Sequence, residues 1–237
     1  MPSLVRLAAP VLLGAVALTG CDQAVKSPSA ERPAPGRAGS MPAPPSQEVV
    51  SAGAPLQLAG PRPSDGTPRR ATLTIEAIGL RDLVVVPYVG VTDDAPGTVI
   101  QDGGVAASPH GPQGGTGPGG VGNYQVTAHR TSSTRAFELL PRLRVGARVV
   151  VETASRRFVY EIVDTRETSF RSARSLARQR AAVPGHPGRT PTEAMITLST
   201  CSTPEDHAEG NYWSDEFGNP EHRIDKIGVL VGTRPAA

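Results

Sequence analysis

From Ala71 onward, short runs of β-branched and other apolar residues alternate with clusters of Gly, Pro and Asp. Eight runs stand out: Thr72–Ile78, Leu83–Val89, Thr98–Gln101, Tyr124–Ala128, Arg148–Glu152, Phe158–Thr165, Met195–Thr200 and Ile227–Val231. In Phe158–Thr165 the period is two, with Phe158, Tyr160 and Ile162 on one side and Val159, Glu161 and Val163 on the other. That spacing predicts a strand. Thr134–Leu140 places Phe137 and Leu140 three apart and predicts a short helix; Arg171–Arg180 predicts a second, polar and exposed. Many short strands without helical crossovers point to an all-β domain closed, or nearly closed, into a barrel.

The chain before Ala71 has a different texture. Arg6 precedes the apolar stretch Leu7–Leu18, which is broken only by Pro10 and Gly14. This is too short to cross a membrane, which takes about 20 residues, and suits the core of an export signal. It ends in Leu18-Thr19-Gly20-Cys21, which resembles a bacterial lipobox and implies a lipid on Cys21. Residues 22–70 hold Pro in quantity with Ala, Ser and Gly between, and no period survives. The expected organisation is a signal peptide over 1–21, a disordered Pro/Ala linker over 22–70 and a folded unit over 71–237. The folded unit would then sit outside the cell, held to the outer face of the cytoplasmic membrane.

Charge adds an exclusion. With 24 basic against 22 acidic residues the net charge is +2, and no concentrated basic face marks a nucleic-acid partner. Gly103–Gly122 is saturated with Gly and Pro but lacks the strand-to-helix setting of a phosphate loop, so it reads as a surface loop. Pro204–Glu216 is acidic, yet its spacing does not fit a calcium loop; it reads as a solvated loop, and neither metal nor cofactor is expected. Its Tyr212-Trp213 pair is a candidate lip over a site.

Candidate chemistry starts from the cysteines, Cys21 and Cys201. If Cys21 carries lipid, Cys201 is left as a lone thiol outside the cell, and there is no Cys-x-x-Cys redox pair. Cys201 closes the run Met195–Thr200, at the rim of a sheet. A thiol with a pKa of about 8.5 needs a base or cation nearby to act as a nucleophile. His110 and His186 lie in Gly/Pro-rich loops. His129 ends the Tyr124–Ala128 run, and His207 follows Cys201 in the acidic stretch; spacing leaves both open. Arg223, ahead of the last apolar run, offers a permanent charge and several donors to an oxyanion, with Lys226 as substitute and His222 as neighbour.

Four segments resemble the sortase family, most of all its class E members from high-GC Gram-positive bacteria. They are Thr74–Leu80, Gly122–Ser132 with His129, Phe137–Val149, and Thr197-Leu198-Ser199-Thr200-Cys201. The resemblance spans residues 72 to 232. It implies an eight-stranded β-barrel and a cysteine transpeptidase that cleaves a Leu-Pro/Ala-x-Thr-Gly-like sorting signal between Thr and Gly. Cys201 would form a thioacyl intermediate, and a peptidoglycan-precursor or pilin amine would resolve it. His129 would be the acid/base and Arg223 the oxyanion donor, with the Ser202 backbone N–H beside it; Thr200 would line the substrate groove. Ala128 stands where class E members have Gly, Ser202-Thr203 where they have His-Pro, and the Cys201-to-Arg223 connection is longer than the family norm. A L,D-transpeptidase is disfavoured because it resembles a Gly-Cys arrangement, and Thr200 precedes Cys201 here. The non-enzymatic alternative is a sortase-shaped lipoprotein that binds peptide or wall polymer without turnover.

Overall fold

A computed structural model of the chain describes residues 61–236. The export signal, Cys21 and the linker up to residue 60 lie outside them. Eight strands close into one barrel: β1 (Ala71–Ile75), β2 (Leu80–Val89), β3 (Ala106–His110), β4 (Gly122–Thr127), β5 (Arg148–Glu152), β6 (Arg156–Ser169), β7 (Ala194–Cys201) and β8 (His222–Pro235). Their order around the barrel is β1-β2-β3-β4-β7-β8-β6-β5. Two neighbouring pairs, β2·β3 and β4·β7, are parallel and the rest antiparallel. The inner face carries Leu73, Val85, Val126, Val151, Tyr160, Ile196 and Leu198, all essentially inaccessible. Closure removes every sheet edge and buries this mainly aliphatic lining.

The eight expected runs and the eight strands are not the same set. Thr98–Gln101 is not a strand; it lies within α1 (Ala95–Asp102). Its β-branched residues mimic strand composition, but the start signal ahead of them decides. The Asp94 carboxylate accepts from the Gly97 N–H at 2.9 Å, and Pro96 fits the first turn, where its missing N–H costs nothing. The missing strand is β3, inside the segment expected to be a loop. Ala106 and Ala107 are fully buried, and β3 runs parallel to β2 from Val85↔Ala106 to Val89↔His110.

Three smaller expectations also change. The run from Thr72 stops at Ile75, where a 3-10 turn, Glu76–Ile78, leads into Gly79 in the left-handed region. Thr134–Leu140 is not an α-helix but a series of turns ending in a 3-10 helix, Leu140–Arg142. Phe137 and Leu140 are nonetheless fully buried with the barrel core. The third concerns residues 61–70, which are strapped onto the barrel rather than belonging to a free linker. Ser64 N donates to Gly119 O and Ser64 Oγ to Pro118 O, both at 2.7 Å, and Thr233 Oγ1 donates to Arg62 O at 2.9 Å. Gly119 itself must be glycine: its φ is +74°, and a Cβ there would lie 2.1 Å from the Phe158 ring.

The polar helix expected near Arg171–Arg180 is α2 (Ala173–Arg180), started by Ser172 accepting from Ser175 N at 3.2 Å. It is docked, not free. Asn123 Nδ2 of β4 donates to Gln179 O at 3.0 Å and to Ala181 O at 3.1 Å. A third helix, α3 (Thr203–Ala208), occupies the start of the acidic stretch that was expected to be a loop. Pro204 sits in its first turn, where a proline reads equally well as a loop residue.

Candidate active site

Cys201 is the last residue of β7 and pairs directly with Arg223 of β8. Directly opposed residues of an antiparallel pair project to the same face, so thiol and guanidinium share one side of the sheet. On the other flank of β7 the parallel register with β4 runs to Thr127↔Ser199, and Ala128 N still donates to Ser199 O at 3.4 Å. Continued by two residues, that register brings His129 level with Cys201. Cys201 and Arg223 thus stand at paired strand ends, and His129 follows two residues beyond the end of the neighbouring β4.

The long connection from Cys201 to Arg223 does not shift the register. α3 and the turns after it leave and return at the same level, where Ser202 N donates to His222 O at 3.0 Å. Lys226 is thereby ruled out as a stand-in for Arg223. Three residues along a strand it points to the opposite face, with Nζ donating to Pro141 O and Thr165 Oγ1, each at 3.1 Å. Its burial pushes the ammonium pKa down.

Arg223 is completely buried. Its Nε donates to Asp93 Oδ2 at 2.9 Å and its guanidinium carbon lies 4.2 Å from the centre of the Phe170 ring. Nη1 has two long contacts, to Pro220 O and His222 O at 3.4 Å, and Nη2 has no partner among the described residues. Burial opposes the charge, but the Asp93 carboxylate and the site's other negative groups hold the guanidinium above its ordinary value. For Cys201 burial is the leading influence and pushes the thiol up, against the pull of Arg223 and Arg130.

His129 is held differently. Its Nε2 lies 2.9 Å from Oδ1 of Asp102, an exposed carboxylate at the end of α1. The adjacent Arg130 reaches over β7: Nη1 donates to Cys201 O at 3.2 Å, and Nη2 to Glu205 Oε1 of α3 at 2.8 Å. That pairing lowers the Glu205 pKa. Arg130 thus clamps the carbonyl of the thiol-bearing residue.

The other expected site residues are held as follows. Thr200 is buried, and its hydroxyl donates to Ala128 O at 2.8 Å, which fastens the end of β4 to β7. Ser202 is also buried, and because its N–H is already donated to His222 O it is not available to an oxyanion. His207 lies in α3 with its ring centre 4.7 Å from that of Tyr212. Tyr212 is exposed, and Trp213 lies beneath the Arg171 guanidinium at 5.8 Å. His222 is tied to Asp206, Nδ1 to Oδ1 at 2.6 Å. Burial works against its protonation, yet the carboxylates of Asp206, Glu167 and Glu221 raise its pKa.

A cleft of about 330 Å³ runs along the same face of β7 and β8 but is lined by Thr197, Asp225 and Ile227, not by Cys201. Gln179 of α2 closes it toward the thiol. Its Nε2 donates to Asp225 Oδ1 at 2.9 Å and to Ser199 Oγ at 3.2 Å, and its Oε1 accepts from Thr92 Oγ1 at 3.0 Å. Asp225 is buried, and burial raises its pKa despite the bonds from Ser199, Thr168 and Gln179.

The model of the sortase domain matches residues 73–213. The chain belongs to the sortase family. It is accordingly a cysteine transpeptidase of mainly β architecture, and Cys201 is its only cysteine among the described residues. Solved structures share the fold. The sortase SrtA of Actinomyces oris is 19% identical, with a TM-score of 0.53 over 75% of this chain and 87% of that one. Sortase E1 of Streptomyces coelicolor, solved with a tripeptide in the active site, is 24% identical, with a TM-score of 0.51 over 73% of this chain and 94% of that one. Sortase E of Streptomyces avermitilis is 21% identical, with a TM-score of 0.51 over 73% and 93%. No curated protein matches the chain.

Asp93, Asp102, Arg130 and Gln179 are not among the site residues expected from the sequence. Asp93 and Asp102 bracket the helix that was read as a strand, so the one signal that could have found them is the Asp-Ala-Pro start of α1. Arg130 was visible beside His129, but nothing in its neighbourhood announces Glu205.

Proposed function

We propose that this sortase is an extracytoplasmic enzyme of class E type, with Cys201 as nucleophile, His129 as acid/base and Arg223 as oxyanion donor. The observation that carries the reading is the direct Cys201↔Arg223 pairing beside a β4 register that runs toward His129. The sorting signal would be Leu-Pro/Ala-x-Thr-Gly-like. The Cys201 thiolate adds to the Thr carbonyl, an S–C bond forms and the carbonyl electrons move to oxygen, facing the Arg223 guanidinium. The intermediate collapses as the C–N bond to Gly breaks, and His129 gives its proton to the leaving amine. A peptidoglycan-precursor or pilin amine then adds to the thioester, His129 takes a proton from it, and Cys201 is released. Delivery by a lipid on Cys21, at the outer face of the cytoplasmic membrane, completes the reading. The Leu18-Thr19-Gly20-Cys21 sequence supports it.

Incubating the chain with a Leu-Ala-Ala-Thr-Gly peptide should give a Cys201 thioacyl adduct by mass spectrometry, and Cys201→Ala should lose both adduct and cleavage. Cleavage that survives Cys201→Ala would remove the assignment. The absence of any adduct across Leu-Ala-x-Thr-Gly and Leu-Pro-x-Thr-Gly peptides would favour binding without turnover. For the anchor, Cys21→Ser should release the protein from membranes; firm retention would point to an uncleaved signal helix.

A further inference from the structure

Two carboxylates, one at each end of α1, meet His129 and Arg223 on either flank of Cys201. Asp102, the last residue of α1, faces His129, and Asp93, just ahead of the α1 cap, holds Arg223. The two contacts differ in kind. Asp102 is exposed, whereas Asp93 and Arg223 are both buried.

Asp93 is itself tightly specified. Its Oδ1 accepts from Gln101 Nε2 at 3.1 Å, and Gln101 is anchored within α1 by a 3.3 Å bond to Gly97 O. Its backbone is left-handed, with φ of 57°, a conformation that Asp adopts more readily than most residues. The carboxylate takes one edge of the guanidinium, at Nε, and the Phe170 ring lies against the group, 4.2 Å from its carbon. The Nη2 group is buried and has no partner among the described residues. A buried donor without a partner is costly to maintain and is what a developing negative charge can use.

Resting on the reading of Cys201 and Arg223 given above, we propose that Asp93, oriented by Gln101, is a positioning residue that grips Arg223 by its Nε edge and keeps the Nη2 edge free for the reaction's oxyanion. The carboxylate acts through the arginine and does not touch substrate. A competing possibility is that Asp93 occupies the arginine and inhibits the resting enzyme, which predicts the opposite change on its removal.

The test uses the chain with a Leu-Ala-Ala-Thr-Gly peptide, reading kcat and KM for release of the Gly fragment alongside the melting temperature. Asp93→Asn should lower kcat about 10- to 100-fold, as expected for a misplaced reacting group, and change KM less than about threefold. Gln101→Ala leaves the carboxylate in place and should lower kcat in the same pattern by a smaller factor; it also serves if Asp93→Asn does not fold. In an Arg223→Lys background, Asp93→Asn should lower kcat no further, because its effect passes through the guanidinium. An unchanged or raised kcat in Asp93→Asn, a change in KM alone, or an equal loss in both backgrounds would each overturn the proposal. If Arg223→Lys by itself leaves turnover unaltered, the assignment of Arg223 falls first, and the role of Asp93 falls with it.

Discussion

The two flanks of Cys201 are built on opposite principles. On the β8 side, Arg223 is fully buried, neutralised by a buried carboxylate and capped by an aromatic ring. On the β4 side, His129 stands just beyond a strand end with an exposed carboxylate at its ring nitrogen. A guanidinium removed from water has to be paired, so the arginine is inseparable from the packing around it. The acid/base role proposed for His129 needs a ring that stays near the surface, where a looser partner is tolerated. The same side of the barrel thus holds a residue that is part of the fold and a residue that is merely carried by it.

Substitution separates the two. Arg223→Ala should cut turnover about 100- to 1000-fold, as loss of an oxyanion donor does. It should also destabilise the domain by about 3–5 kcal/mol, because Asp93 is left buried and unpaired; chemical denaturation with a parallel peptide assay reads both. His129→Ala should cost about 100- to 10,000-fold in turnover with little change in denaturation midpoint. His207→Ala should leave turnover intact, and loss of activity there would transfer the acid/base role to α3. Equal stability losses in the Arg223 and His129 variants would erase the contrast.

Thr200→Val tests how the histidine flank is held. It removes the bond to Ala128 O that ties β4 to β7 and should cost about 1 kcal/mol of stability, with a loss of turnover larger than that of any other buried threonine of β7. The smallest effect is one of pH. The folded-state pKa of His222 is raised by its carboxylates, so its contribution is fully present below the unfolded value of about 6.5 and is lost as pH rises through the folded value. Melting temperatures recorded through neutral pH should therefore fall more in the parent chain than in Asp206→Asn. An identical slope in the two would remove the ion pair from the account.

Much of the barrel was legible because strand composition and turn residues are local signals. Phe158–Thr165 announced its own faces, and the Met195–Cys201 strand placed the thiol at a rim. The errors occurred where local composition carries the wrong sign. Thr98-Val99-Ile100 reads as strand, yet the Asp94 cap and Pro96 start a helix. Ala106–His110 reads as loop among glycines, yet β2 and β4 on either side make it a strand. The two mistakes cancelled in the count and left the site without its α1 partners.

What the sequence alone determined is seven of the eight strands, the positions of Cys201 and Arg223 at strand ends with His129 just beyond another, and the family resemblance those segments carry. Tertiary structure decided what each polar group does. Thr200 and Ser202 became fasteners, Lys226 turned to the far side of β8, and Asp93, 130 residues before Arg223, became its counter-ion. The reason is physical. Strand propensity is set by neighbours in sequence, whereas the pairing of a buried charge is set by whichever group the closed barrel brings within hydrogen-bond reach.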